Sequence, residues 1–187
     1  MKLSAVLLAG GESRRMGQDK ATVLFRGKPL WQTQLNLMRE LAPAEIFISA
    51  RTDRTWRPPD VQFIRDEPPS RGPLSGIAAT LGQITTSHLL ALAIDMPFMT
   101  APYLRLLCGR AQPGRGVVPI ICERAEPLAA IYSRAARADL IAAFAGTDFS
   151  LQSVVRKLIA SGKLMALNVT HEQEPLFRNL NEPRDLQ

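Results

Sequence analysis

The chain is expected to be one α/β domain in three layers, with a mostly parallel central sheet between two layers of helices. Three observations predict this. Short segments rich in Val, Ile, Leu and Ala alternate with longer stretches of helical periodicity, and such alternation builds parallel sheets. Several of the short segments are near-continuous apolar runs, which marks strands covered on both faces. The length, 187 residues, suits a single compact domain with a full core.

The elements follow in order. Residues 2–8 (KLSAVLL) read as a strand that runs directly into a glycine-rich loop. Leu30, Leu35, Leu37, Met38 and Leu41 recur at helical spacing, with Pro29 at the start and Pro43 marking the end. Residues 44–50 (AEIFISA) and 61–65 (VQFIR) read as strands separated by a polar, proline-bearing loop. A second loop over 66–73 leads into a helix over 74–84. Residues 87–94 (SHLLALAI) form the most apolar strand, stopped by Asp95-Met96-Pro97. A helix over 101–110 follows, then extended segments at 116–121 and 127–132. Alanine- and leucine-rich helices are expected over 135–145 and 151–160, the second capped by Ser150. A last strand is expected over 163–169 and a terminal helical turn over 182–187. There is no internal repeat, low-complexity tract or linker.

Composition excludes several classes. At 46% hydrophobic and 21% charged residues the chain is neither disordered nor fibrous. No apolar stretch reaches the roughly 18 residues of a membrane span, and no leader pattern precedes the first strand. Cys108 and Cys122 form no close pair and His88 and His171 lie far apart, so neither a zinc site nor a disulfide framework is expected. A cytoplasmic location fits this usage. The net charge of +6 and pI near 9.9 fit nucleic acid, an anionic surface or an anionic small molecule as partner, or else a solvated arginine-rich surface. The arginines are dispersed and aromatics are only 6% of residues, so a phosphate-bearing small molecule is preferred to nucleic acid.

The chemistry concentrates in LAGGESRRMGQDK, residues 8–20. This is not a Walker A loop: five residues separate Gly11 from Gly17, and Ala21 follows Lys20. Nor is it the G-x-G-x-x-G of dinucleotide sites. The elements of a phosphate cradle are nevertheless present. Gly10 and Gly11 let backbone N–H groups approach an anion, and Arg14, Arg15 and Lys20 add charge at short range. The competing reading is a solvated basic loop. Ligands of parallel sheets lie beyond the carboxyl ends of the strands, which gathers 9–20, 49–54, 66–76 and 95–99 around one crevice. Asp95 is placed there to hold Mg²⁺, which takes one or two carboxylates together with phosphate oxygens and water; a turn-forming role is the alternative. Asp66 ends another strand-like run and can contact a ligand or cap a turn. Ser75 can cap the following helix and Gly76 can permit a close backbone approach.

With these residues in view, the chain resembles the molybdenum cofactor guanylyltransferases, within the nucleotidyltransferases of Rossmann-like α/β fold. The resemblance rests on LAGGESRRMGQDK with FRGKPLWQ (25–32), RDEPPSRGPLSGI (65–77), LAIDMPF (92–98), PLAAIY (127–132) and NLNEPRDL (179–186), in the expected order. It implies transfer of GMP from GTP to the phosphate of molybdopterin carrying molybdenum, with release of pyrophosphate and with Mg²⁺ as cofactor. It implies nucleotide contacts from Leu8, Ala9, Gly10, Gly11, Lys20, Ser49, Asp66 and Asp95, catalytic roles for Arg15, Lys20 and Asp95, and metal binding by Asp95. Ser49 stands where members often carry Asn, and Glu182 where Thr is usual. Gly10-Gly11 favours the guanylyl branch over relatives that use CTP and read Leu-Ala-Ala-Gly. The nucleotide is assigned to about residues 1–100 and the acceptor to about 101–187, near 127–132 and 149–157. Arg156 and Lys157 are either phosphate contacts there or, as preferred, a solvated helix face. The pathway implies transient contact with proteins that deliver or accept the cofactor. Related CTP-dependent or other-acceptor transfer, and a nucleotide-binding module without turnover, are the alternatives.

Overall fold

The first strand, β1 (Leu3–Leu8), is buried at every position, and the reason lies in its alternation between two cores. Leu3, Ala5 and Leu7 enter one, Val6 and Leu8 the other. The structure, a computed structural model, describes residues 2–10, 19–66, 72–145 and 150–180.

After β1 the described chain resumes at Asp19 and makes a 3₁₀ turn, Lys20–Thr22, then a small hairpin of β2 (Leu24–Phe25) and β3 (Lys28–Pro29). Arg26 and Gly27 both have positive φ, 51° and 76°, the backbone of a two-residue hairpin turn. Next come α1 (Leu30–Arg39), β4 (Glu45–Ala50) and β5 (Gln62–Arg65). They are followed by α2 (Pro73–Gln83), β6 (His88–Ala93) and α3 (Ala101–Arg110). The second half adds β7 (Gly116–Ile121), β8 (Arg124–Ala125), β9 (Ala129–Ser133), α4 (Arg137–Ala142), α5 (Leu151–Ala160) and β10 (Leu164–Asn168).

The main sheet runs β10-β7-β9-β6-β1-β4-β5, with β8 paired to β7. β6, β1, β4 and β5 are mutually parallel, and β10 is parallel to β7. β9 runs antiparallel between β6 and β7. The expected three-layer, mostly parallel architecture is therefore present. Leu30, Leu35 and Met38 of α1 and Tyr103, Leu104 and Leu107 of α3 close one face. Leu74, Ile77 and Leu81 of α2, Leu140 of α4 and Val154, Val155 and Leu158 of α5 close the other. β6 shows why its sequence is so uniformly apolar: Leu90 and Leu92 face the first core, Leu89 and Ala91 the second.

Three expectations are corrected. The helix foreseen over 135–145 is broken into a 3₁₀ turn, α4 and a second 3₁₀ turn. Leu140 is the buried residue of α4, too small an anchor to hold a longer helix by packing. Ser75 does not cap α2. The N-cap is Gly72, with φ of 63°, and Pro73 fills the first helical position, so Ser75 lies inside the first turn. The extended segment expected at 127–132 becomes β9 only from Ala129, because Pro127 precedes the ladder. Ser150 occupies the N-cap position of α5, but its side chain makes no capping hydrogen bond to the helix. The terminal turn expected over 182–187 lies outside the described residues. No helix among the described residues is long and apolar enough to cross a membrane.

Candidate active site

The carboxyl ends of β6, β1, β4 and β5 lie side by side, so Asp95, Ala9-Gly10, Arg51 and Asp66 emerge on one edge of the sheet. The chain leaving β6 is fixed there by Ile94 N–H donating to Leu8 O at 3.2 Å. Asp95 follows, and its own carbonyl accepts from Leu180 N–H at 2.9 Å. That bond brings the segment before the chain end back onto the site.

Lys20 and Asp95, 75 positions apart, meet at this edge: Lys20 Nζ donates to Asp95 Oδ2 at 2.9 Å. Their side chains are 17% and 22% exposed, so the pair is shielded yet reachable. The second oxygen of Asp95 accepts from no described residue. A carboxylate with one oxygen available, beside a cation, fits a Mg²⁺ that draws its remaining ligands from phosphates and water. Among the described residues no group of three or more His, Cys, Asp or Glu forms a protein-only metal cage.

A second cluster lies one strand over. Ser49 is 1% exposed and its hydroxyl donates to Asp66 Oδ1 at 2.5 Å. Burial pushes the Asp66 carboxyl above its ordinary range, while the Ser49 hydrogen bond and the Arg51 and Arg54 charges pull it down. The pair rests on two glycines. A Cβ on Gly10 would lie 2.5 Å from Asp66 Oδ2, and one on Gly76 would overlap Ser49 Oγ. The close approach expected at Gly76 is therefore present, and it serves Ser49. Ser49 itself is turned away from solvent, so any influence on a ligand passes through Asp66.

Leu8 and Ala9 are buried, and much of their backbone is already engaged. Leu8 O accepts from Ile94 N–H; Ala9 N–H donates to Ser49 O at 2.9 Å. From this stretch, backbone N–H contact with a ligand begins at Gly10. Gly11, Arg14 and Arg15 lie outside the described residues. Arg156 and Lys157 are exposed on α5, on the side away from Val154, Val155 and Leu158, which agrees with a solvated helix face.

Several residues that sequence reasoning left without a role make contacts here. Asp19 accepts from Ala21 N–H at 3.1 Å and so caps the turn that carries Lys20. It also accepts from Trp56 Nε1–H at 3.1 Å. Arg54 donates to Ala9 O at 3.3 Å. Trp31 and Trp56 stack with ring centroids 5.6 Å apart. Glu126 stands two residues before Leu128, whose carbonyl accepts from Ala93 N–H, and Asp95 stands two residues beyond Ala93. Glu126 N–H donates to Pro119 O of β7 at 2.8 Å, and burial raises its carboxyl against the opposing charge of Arg124. Asp19 lies inside the 8–20 motif and Arg54 inside the 49–54 segment, but the contacts each makes appear only in the fold.

The arrangement suits an anion-handling site in which Asp95, Lys20 and Asp66 gather at the strand ends with Gly10. Comparison with known proteins agrees. A family model described as a MobA-like NTP transferase domain matches residues 5–163. The chain is 33% identical over 186 residues to a probable molybdenum cofactor guanylyltransferase of Opitutus terrae, covering 98% of this chain and 92% of that one. It is 30% identical over 194 residues to a molybdenum cofactor guanylyltransferase of Syntrophotalea carbinolica, covering 98% and 89%. In fold it matches the molybdopterin-guanine dinucleotide biosynthesis protein A of Archaeoglobus fulgidus with TM-score 0.75 at 23% identity, covering 98% and 94% of the two chains. It also matches a 2-C-methyl-D-erythritol 4-phosphate cytidylyltransferase of Thermus thermophilus with TM-score 0.71 at 17% identity, covering 100% and 96%. With a family match that spans most of the sheet and relatives aligned over nearly the whole length, this chain belongs to the MobA-like NTP transferase family.

Proposed function

We propose that this chain transfers GMP from GTP to the terminal phosphate of molybdopterin carrying molybdenum, giving the guanine dinucleotide and pyrophosphate. The observation that carries the reading is the Lys20–Asp95 pair at the strand ends, in a chain with full-length guanylyltransferase relatives. A phosphate oxygen of the acceptor bonds to the α-phosphorus of GTP while the bond from that phosphorus to the bridging oxygen breaks. Pyrophosphate carries away the electron pair. No covalent enzyme intermediate is required, so the work of the protein is alignment and neutralisation of charge.

The roles follow from position. Lys20 neutralises the β- and γ-phosphates, exchanging its bond to Asp95 for one to the nucleotide. Asp95 would hold Mg²⁺, which would supply charge neutralisation and a template for the triphosphate. Gly10 and Gly11 bring backbone N–H groups to the nucleotide, and Arg15 adds a second cation to the triphosphate. Asp66, braced by Ser49, contacts the nucleoside. The acceptor is assigned to the second half of the chain, on the side of β9. GTP supply places the reaction in the cytoplasm, with transient contact to proteins that deliver or take the cofactor, and without nucleic acid.

The test is one incubation of the protein with molybdenum cofactor, Mg²⁺ and equal GTP and CTP, read by mass spectrometry of the released pterin. A guanine dinucleotide is expected. A cytosine dinucleotide would keep the chemistry and overturn the choice of base. Nucleotide binding without any dinucleotide would leave a binding module.

A further inference from the structure

Arg54 sits on the loop after β4, at the end of the 49–54 segment expected at the crevice, and its guanidinium reaches both sides of the proposed nucleotide site. One nitrogen donates to the carbonyl of Ala9, just beyond β1, at 3.3 Å. The other forms an ion pair with Asp19 Oδ2 at 3.6 Å. Asp19 in turn caps the turn that begins at Lys20. The two groups joined by Arg54 are therefore the backbone immediately before Gly10 and the residue immediately before Lys20.

The surroundings hold Arg54 in place. Arg57 grips both oxygens of Asp53 at 2.7 Å each, and also donates to Val61 O at 2.6 Å. Arg57 N–H donates to Arg54 O at 3.0 Å, and Arg54 N–H donates to Asp53 Oδ1 at 2.8 Å. The tight turn 53–57 is thus closed twice. Trp56, on the same turn, stacks on Trp31 of α1 and donates to the same Asp19 oxygen that faces Arg54. The guanidinium is 23% exposed and its Nε–H is enclosed with no acceptor. Such a group is held by its anchors rather than by solvent. Planar, two-sided reach of this kind is what arginine offers and lysine does not.

We propose that Arg54 is a positioning residue of the nucleotide site, tying the Ala9 carbonyl to the Asp19 carboxylate so that Gly10 and Lys20 keep their spacing before nucleotide arrives. The proposal rests on the reading above that GTP binds between them. Without the tie the binding-competent arrangement is a fraction of the population, and apparent affinity falls by that fraction. Once nucleotide is bound the arrangement is restored, so the chemical step is little changed.

The experiment compares wild type, Arg54→Gln, Arg54→Lys, Asp19→Asn and the Arg54→Gln/Asp19→Asn double variant. Melting temperature is measured first, then GTP affinity with Mg²⁺, then kcat and KM. Arg54→Gln is expected to weaken GTP and raise its KM by about 10-fold while kcat stays within about twofold. Arg54→Lys should fall between wild type and the Gln variant. The double variant should be little worse than the worse single one, because both break one connection. Emission from the two tryptophans, Trp31 and Trp56, should change on adding GTP more in Arg54→Gln than in wild type, since Trp56 shares Asp19 with Arg54. Additive losses would overturn the proposal in favour of a direct Arg54–nucleotide contact. GTP affinity unchanged with a lowered melting temperature would reduce Arg54 to fold stability. If Arg54→Gln does not fold, wild-type affinity in Arg54→Lys would overturn it equally. A wild-type chain that binds CTP and not GTP would instead defeat the guanylyl reading, and the same ratios would then be read with CTP.

Discussion

Burial raises the Asp66 carboxyl, and the Ser49 hydroxyl with the Arg51 and Arg54 charges only partly offsets it. The folded state therefore binds this proton more tightly than the unfolded chain does. Stability from this group is fully present below the ordinary carboxylate range and is lost as pH rises through that range to the higher folded value. Asp66→Asn keeps the acceptor for Ser49 and removes the buried charge. It should raise the melting temperature at pH 7, with the gain shrinking as pH falls below the ordinary carboxylate range, and, with Asp66 contacting the nucleoside as proposed, it should lower activity. A variant no more stable at pH 7 than wild type would show that Asp66 carries no such cost. Asp95→Ala should abolish turnover with the fold intact, checked by activity beside circular dichroism; retained activity would remove Asp95 from metal binding. Lys20→Ala should weaken GTP by roughly 10- to 100-fold, the range of a lost bond to a charged group, and guanosine hardly at all. Asp95 and Lys20 were legible in the sequence because each follows or lies within a marked pattern, a strand stopped by Asp-x-Pro and a glycine-basic loop. The Ser49–Asp66 bond was not legible. It depends on β4 and β5 pairing Ser49 with Ile64 and Ala50 with Arg65, a register that no local pattern states.

Helix α2 is pressed against the strand ends through Gly76, and this contact reverses the usual preference for alanine in helices. A Cβ there would overlap Ser49 Oγ and lie 3.1 Å from Leu8 Cδ2, both inside the sheet-facing core. Gly76→Ala should destabilise by about 1–3 kcal/mol, as overpacking does, measured as a lower urea midpoint. Adding Ser49→Ala should return part of that loss, so the two changes are not additive. Gly109 on α3 is the control. A Cβ there meets nothing within 4 Å, so Gly109→Ala should stabilise by about 0.5–1 kcal/mol. Opposite signs for the two alanines would separate packing from propensity. Elements of this length were largely readable from periodicity, because α1, α2, α3 and α5 each bury a repeating apolar face. The short elements were not. The hairpin turns at Arg26-Gly27 and Cys122-Glu123 place non-glycine residues at positive φ, where sequence preference points elsewhere. The 3₁₀ turn at Lys20–Thr22 is held by Asp19, a contact with no periodic signature.

For the molecule as a whole, the layered fold was readable and the direction of one strand was not. β9 is buried along its length like its parallel neighbours, so its reversed direction leaves no mark on the apolar pattern. Its consequence is functional. Because β9 begins where β6 ends, Leu128 enters beside Ala93, two residues before Asp95, and the second half of the chain reaches the edge where the nucleotide is proposed to bind. The net charge of +6 suits the same arrangement, since it favours encounter with a triphosphate. Binding at such a junction should stabilise the entire domain, because a ligand that binds only the folded state adds stability by mass action. At a GTP concentration of about 100 times Kd with Mg²⁺, the gain is about 2.7 kcal/mol. For a domain of this size that corresponds to a rise of roughly 5–10 °C in melting temperature. CTP at the same concentration should shift it far less, and Asp95→Ala should lose the part of the shift that depends on Mg²⁺. Equal shifts with GTP and CTP would mean that the site reads the triphosphate alone, and that base selection belongs to the bound acceptor rather than to Gly10 and the Ser49–Asp66 pair.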